Sequence, residues 1–149
     1  FRSGAPTPAE AELRAYAGDL GLGDAVRFPG FVDDEAIEGL YAVASCFAFP
    51  SLSEGFGIPV LEAMNRDVPV VTSDMSCLPE VAGDAAVLVD PLSERSIGDG
   101  IVDVLANEET RARLIAAGRR RCEHYTWERC AALVLASLDH AVADVEARR

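Results

Sequence analysis

Three apolar runs, CFAFP at 46–50, PVVTS at 69–73 and AAVLVD at 85–90, constrain this chain more than any other feature. Each is short for a helix and too continuously hydrophobic for a strand with one wet face, so each reads as a strand buried on both sides. Stretches of helical periodicity lie between them. Buried strands alternating with amphipathic helices predict an α/β chain whose parallel sheet is covered on both faces.

The helix signals are local and chemical. Thr7-Pro8-Ala9-Glu10 supplies an N-cap, a proline at the first helical position and a capping-box glutamate. Leu13, Tyr16, Ala17 and Leu20 give that helix one apolar stripe, Gly21 can take the left-handed cap, and Leu22 supplies the closing contact. AVRFPG at 25–30 reads as a strand ending in a turn. Asp33 or Asp34 caps a second helix carrying Ile37, Leu40, Tyr41 and Ala44. Further helices are expected from about Pro59 to Asn65, from Leu78 to Val81, from Ser93 onward, and after the caps Asn107 and Thr126. The one from Ser93 is weakened by Gly98 and Gly100, at about 1 kcal/mol each relative to alanine. Phe47 and Phe49 read as core, Trp127 as a packing anchor, His124 and His140 as structural, and Arg119-Arg120-Arg121 as a solvated helix face.

Composition removes several function classes. At 149 residues, half of them apolar, the chain has the length of one domain with a sizeable core. A formal charge of -12 argues against a nucleic-acid surface. No apolar run approaches the roughly 20 residues that span a bilayer, and the first ten residues lack a signal-peptide pattern, so a cytoplasmic location is expected. Cys46, Cys77, Cys122 and Cys130 form no CxxC pair and have no histidine at ligand spacing, so neither a metal nor a cofactor is expected.

The chemistry concentrates in SEGFGIPVLE at 53–62. Gly55-Phe56-Gly57 follows a strand and opens a helix, where backbone N–H groups and the helix dipole hold phosphates. The third glycine of a dinucleotide fingerprint is Val60 instead, no G-K-[ST] follows, and no G-x-S-x-G occurs, which removes nicotinamide dehydrogenases, P-loop ATPases and serine hydrolases. Glu54 and Glu62 bracket the turn, separated by at most roughly 12 Å on helical rise. Helical side chains lean toward the N-terminus, so Glu62 can face the same mouth as Glu54. An elongated ligand with hydroxyls at both ends and phosphates between them suits that arrangement. The residues alone leave a second reading open, in which Glu54 is an acid favoured by the helix dipole and Glu62 a solvated helix residue.

FPSLSEGFGIPVLEAM, followed by PVVTSDMSCLPEV and GDAAVLVDP, closely resembles the C-terminal nucleotide-sugar-binding domain of family-4 (group 1) retaining glycosyltransferases of the two-Rossmann-domain (GT-B) type. VRFPGFVDDEAIEGLY upstream and YTWERCA downstream fit the same family in the same order. The resemblance implies a Rossmann-like, doubly wound parallel sheet. In E-x7-E, Glu54 would face the transferred sugar as the catalytically important acid, and Glu62 would bind the ribose hydroxyls. Amides of Gly55, Phe56 and Gly57 would hold sugar hydroxyls, and Ile58 and its neighbours the diphosphate. Gly30, Phe31 and Val32 would frame the base, and Ser51 would line the donor pocket. The partner implied is a nucleoside diphosphate sugar, with no metal required.

The departures carry their own expectations. Asp67 falls where the family has a glycine in a left-handed cap, at a modest stability cost. Cys77 replaces a small polar residue and reads as buried. The motifs match strands 3 to 6 of a sheet ordered 3-2-1-4-5-6, so the first two strands are missing, with Phe1 to Ser3 as a stub of the second. Residues 1–149 thus resemble a partial donor-binding domain, the acceptor being held by an absent N-terminal domain that would also carry any membrane association. Such a chain is expected to be inactive alone and to bind donor weakly. The rival readings are a non-catalytic assembly module that needs a partner chain and another sugar-nucleotide enzyme such as an epimerase, which would leave E-x7-E unexplained.

Overall fold

The computed structural model describes residues 7–147, the side chains of 142 and 144–147 excepted, and divides the chain into two compact units, Phe1–Leu40 and Tyr41–Arg149. The strand stub expected at Phe1 to Ser3 lies outside the described residues.

In the first unit, helix α1 spans Pro8–Asp19. Its cap forms as expected: Thr7 Oγ1 accepts the Glu10 N–H at 3.2 Å. The Glu10 carboxylate turns forward to Arg14 at 2.7 Å. Gly21 adopts φ +70°, and the Leu22 N–H reaches back to the Ala17 carbonyl at 2.8 Å, closing the helix as a Schellman motif. The apolar stripe, however, buries only Ala17; Leu13, Tyr16 and Leu20 stay exposed. Residues 25–30 form no strand. A strand needs a neighbour to take its N–H and C=O groups, and none of the described residues ladders with this segment. Arg14 meets it instead, its guanidinium 4.5 Å from the Phe28 ring centroid and donating to the Phe28 carbonyl at 3.3 Å. Asp33 Oδ1 accepts the Ala36 N–H at 2.9 Å and starts α2, Asp34–Val43.

The second unit holds β1 (Phe47–Phe49), α3 (Ile58–Asn65), β2 (Val70–Ser73), α4 (Leu78–Ala82), β3 (Ala86–Val89), α5 (Glu94–Ala106), α6 (Glu108–Cys122) and α7 (Trp127–Ala147). The sheet is parallel, in the order β1-β2-β3, with Val70 opposite both Phe47 and Ala86. Only β2 is buried throughout. As the outer strands, β1 leaves Ala48 exposed with Phe47 and Phe49 half-buried, and β3 exposes Leu88, so the two-sided burial expected of all three runs holds for the central one. Ser93, Asn107 and Thr126 accept N–H groups of Ser96, of Glu109 and Thr110, and of Arg129, so the three expected caps are all present. Trp127 corrects the anchor reading: it is 83% exposed, on a helix whose described side chains all face solvent.

Val71 and Val89 from the sheet, Val104 from α5 and Leu114 from α6 form a buried cluster on one face. The two glycines of α5 part company there. A Cβ on Gly100 would lie 2.7 Å from Val89 Cγ1 and 3.3 Å from Val71 and Val87, whereas one on Gly98 would meet nothing within 4 Å. Gly100 is therefore what lets α5 lie on the sheet, and Gly98 only weakens the helix. Gly98→Ala is expected to stabilise the fold by about 0.5–1 kcal/mol, and Gly100→Ala to destabilise it by about 1–3 kcal/mol through overpacking. Urea unfolding of the two variants checks this; equal effects would mean that α5 does not approach the sheet at Gly100.

Candidate functional site

The segment carrying the two glutamates runs from the end of β1 into α3. Gly57 is the N-cap, in the left-handed region at φ +94°. With no side chain it caps none of the first amides of α3: Pro59 has no N–H, the Val60 N–H turns back to the Gly57 carbonyl at 3.0 Å, and the Ile58 N–H at the helix start is left without an intrahelical acceptor. Gly57 is also sterically fixed, since a Cβ there would lie 2.6 Å from Leu78 Cδ2. Pro59 sits in the first turn, where its missing N–H costs nothing. Val60, Ala63 and Met64 point into the core and set the helix rotation, which leaves Ile58 and Glu62 on the exposed face.

The turn itself is held from outside. Ser76 Oγ accepts the Glu54 N–H at 3.2 Å and donates to the Glu54 carbonyl at 3.0 Å; the Cys77 thiol donates to the same carbonyl at 3.2 Å. Cys77 is half-buried rather than buried, and its sulfur has this specific partner. On the other side of the turn, Phe56 packs edge-on against Tyr125, with ring centroids 5.6 Å apart. Tyr125 is fixed by Arg121, whose guanidinium donates to the Tyr125 hydroxyl at 3.0 Å, to the Val81 carbonyl at 2.8 Å and to the Glu80 carbonyl. Of the arginine triplet expected as a solvated face, Arg119 and Arg120 are exposed, Arg119 in an ion pair with Asp67, and only the half-buried Arg121 departs from that reading.

A cavity of about 520 Å³ opens beside α3. Phe56, Ile58 and Glu62 line it together with Tyr125, Trp127 and the thiols Cys122 and Cys130, while Glu54, Ser51 and Gly55 lie outside its lining. Burial raises the pKa of the Cys122 thiol. Ser51 is half-buried, with its hydroxyl donating to the Ser53 carbonyl at 3.4 Å. Gly30 adopts φ +68°, Phe31 is 78% exposed and Val32 is half-buried; all three belong to the first unit. The second unit therefore brings together Ser51 and residues 54–62. Sequence reasoning missed Ser76, Tyr125 and Arg121. YTWERCA pointed at the neighbourhood of Tyr125, but nothing in SDMSC marks which residue folds back onto Glu54. Among the described residues, no group of three or more His, Cys, Asp or Glu side chains is placed to hold a metal, and no helix is long and apolar enough to cross a membrane.

A parallel sheet flanked by helices, with a glycine turn opening the helix after β1, defines a Rossmann-like α/β domain like the C-terminal domains of GT-B glycosyltransferases. The chain belongs to the glycosyl transferases group 1 family, whose sequence model matches residues 6–121. It is 42% identical over 105 residues to O-antigen chain mannosyltransferase B of Escherichia coli, a match covering 70% of this chain and 28% of that protein. It is 35% identical over 133 residues to MMP alpha-(1->4)-mannosyltransferase of Mycolicibacterium hassiacum, covering 87% and 32%. Among solved structures, sucrose-phosphate synthase from Thermosynechococcus elongatus superposes with a TM-score of 0.77 at 26% identity, over 92% of this chain and 35% of that one. The C-terminal domain of a glycosyl transferase group 1 family protein from Francisella tularensis gives 0.68 at 28% identity, over 77% and 63%. The chain spans about a third of the length of these two mannosyltransferases.

The far end of α3 closes on an ion pair. Asp67 takes the left-handed conformation expected of it, φ 59°, and both its oxygens accept from Arg119 at 2.6 Å. Those hydrogen bonds, helped by the charge and opposed by slight burial, hold the Asp67 carboxyl below the usual carboxylate range. A depressed folded-state pKa contributes stability that is full above the unfolded value, about 3.9 for aspartate, and is lost as pH falls through the folded value. Arg119→Gln is therefore expected to lower the melting temperature slightly at pH 7, the gap narrowing at high salt because the pair is exposed and closing as the pH is taken down through the carboxylate range. A gap that persisted after the Asp67 carboxyl had been protonated would assign Arg119 a packing role instead.

Proposed function

We propose that this chain is the donor-binding part of a retaining glycosyltransferase that moves a sugar, mannosyl by the names of its relatives, from a nucleoside diphosphate to an acceptor. The observation that carries the reading is the glycine turn itself: its peptide is gripped by Ser76 and Cys77, and it delivers an uncapped helix start followed by Glu62 on the exposed face. In this reading Glu54 faces the sugar and Glu62 accepts from the ribose hydroxyls. The amides of Gly55, Phe56 and Gly57 meet sugar hydroxyls, and Ile58 and its neighbours meet the diphosphate. Ser51, just ahead of the turn, belongs to the same donor-binding segment.

The chemistry follows from where charge develops. As the bond from the anomeric carbon to the diphosphate breaks, the leaving oxygen gains negative charge, which the α3 N-terminus stabilises. The sugar gains positive charge, which in this reading the Glu54 carboxylate opposes. The acceptor oxygen then bonds to the anomeric carbon on the face from which the diphosphate departs, which gives retention, and its proton passes to the departing diphosphate oxygen. The acceptor itself belongs to the part of the enzyme beyond these residues.

Glu62→Ala is expected to raise the Kd for a nucleoside diphosphate about ten- to a hundredfold, the loss of charge-assisted hydrogen bonds. Calorimetry over a panel of nucleoside diphosphates reads this directly, and unchanged affinity would remove the ribose assignment. Purified residues 1–149 are expected to show no transfer alone and to regain it when combined with an acceptor-binding half. Robust transfer by the chain unaided would contradict the partial-domain reading, and stable assembly with that half without transfer would favour a non-catalytic module.

A further inference from the structure

We propose that Ser76 is the positioning residue that aims Glu54 at the donor sugar, acting through the Glu54 peptide without touching the donor. The inference rests on the donor reading of residues 54–62. A hydroxyl can donate one hydrogen bond while accepting others, and Ser76 uses both capacities on one residue: it accepts from Glu54 N at 3.2 Å and donates to Glu54 O at 3.0 Å. Cys77 adds a weaker third contact at the same carbonyl. The residue so held is followed by Gly55, which is exposed and has no side chain to anchor it.

The backbone at Ser76 makes the case independently. Among the described residues, only Asp67 and Ser76 combine a side chain with positive φ, 59° in each. Asp67 follows the end of α3, where a left-handed residue caps the helix and the Arg119 pair holds it. Ser76 ends no helix. It lies in the turn between β2 and the Cys77 cap of α4. What the strained conformation does achieve is to set the hydroxyl against the Glu54 peptide. Strain of this kind collects at functional sites, where the surrounding structure over-determines it.

Saturation-transfer NMR on the chain, with GDP, GDP-mannose, UDP and UDP-glucose as probes, tests this, because it registers weak binding and reports ribose and sugar protons separately. Ser76→Ala is expected to cut the preference for the nucleotide sugar over its free diphosphate about three- to tenfold, the worth of one hydrogen-bonding group, and to weaken transfer to the sugar protons. Ribose signals and the Kd for the free diphosphate stay at wild-type values. Ser76→Gly relaxes the backbone without returning the hydroxyl, so it should behave like Ser76→Ala and also guards against a variant that fails to fold. Wild-type preference in Ser76→Gly, equal losses for diphosphate and nucleotide sugar, or no loss at all would each overturn the positioning role while leaving the donor reading standing. A wild-type chain that binds none of the four probes would overturn both.

Discussion

β2 is hydrogen-bonded along both edges and buried over all four residues, so the loop that leaves it starts from a fixed point. The anchoring continues past the strand end. Thr72 Oγ1 donates to the Phe49 carbonyl at 2.9 Å, tying the loop's root to the end of β1. The Asp74 N–H meets the Val89 carbonyl at 2.9 Å, and Ser73 Oγ accepts from Met75 N at 3.0 Å. Ser76 and Cys77 therefore arrive at the Glu54 peptide from the most rigid element of the domain. A turn built on two glycines has little order of its own, and here the order is lent by the neighbouring strand.

The helix that follows the turn is fixed at both ends by different means. At its start, Leu78 of α4 fills the space where a Gly57 side chain would stand. At its end, Arg66 returns its guanidinium to the Glu62 carbonyl at 2.9 Å, and Asp67 closes on Arg119 of α6. Between them, Gly118 lets α6 approach until a Cβ there would be only 3.2 Å from the Met64 side chain. Rotation about the helix axis is thus set by Val60, Ala63 and Met64, and the outward direction of Glu62 is a consequence of what is packed inward.

Features decided by local chemistry were legible in the sequence. The Thr7, Ser93, Asn107 and Thr126 caps, the left-handed Gly21 and the start of α3 all follow from residues within four positions of one another, whereas the left-handed Asp67 was legible through the family resemblance. Features decided by distant partners were not. AVRFPG has the composition of a strand but no ladder partner among the described residues, and CFAFP became an edge strand because burial on both faces needs a neighbour on each edge. Trp127 and the Leu13, Tyr16, Leu20 stripe have the spacing of packed residues without the packing. In the candidate site, E-x7-E and its glycines could be read directly, because backbone conformation and helix start are local. The grip of Ser76, twenty-two positions away, could not, since a serine in a polar loop carries no signal of a fold-back contact.

Charge decides what this domain can do by itself. Its 13 basic residues are all arginines, against 25 acidic ones. Three of those around α3 already have structural duties: Arg121 on the Val81 and Glu80 carbonyls and Tyr125, Arg119 on Asp67, Arg66 on Glu62 O. What the turn offers an anion is the start of α3, equivalent to about half an elementary charge, in the field of a net -12 protein. A nucleoside diphosphate sugar brings about two negative charges, more than the partial charge of one helix start offsets. On the donor reading, the turn therefore contributes orientation rather than charge compensation, since what it offers a diphosphate is the partial charge of a helix start and not a guanidinium.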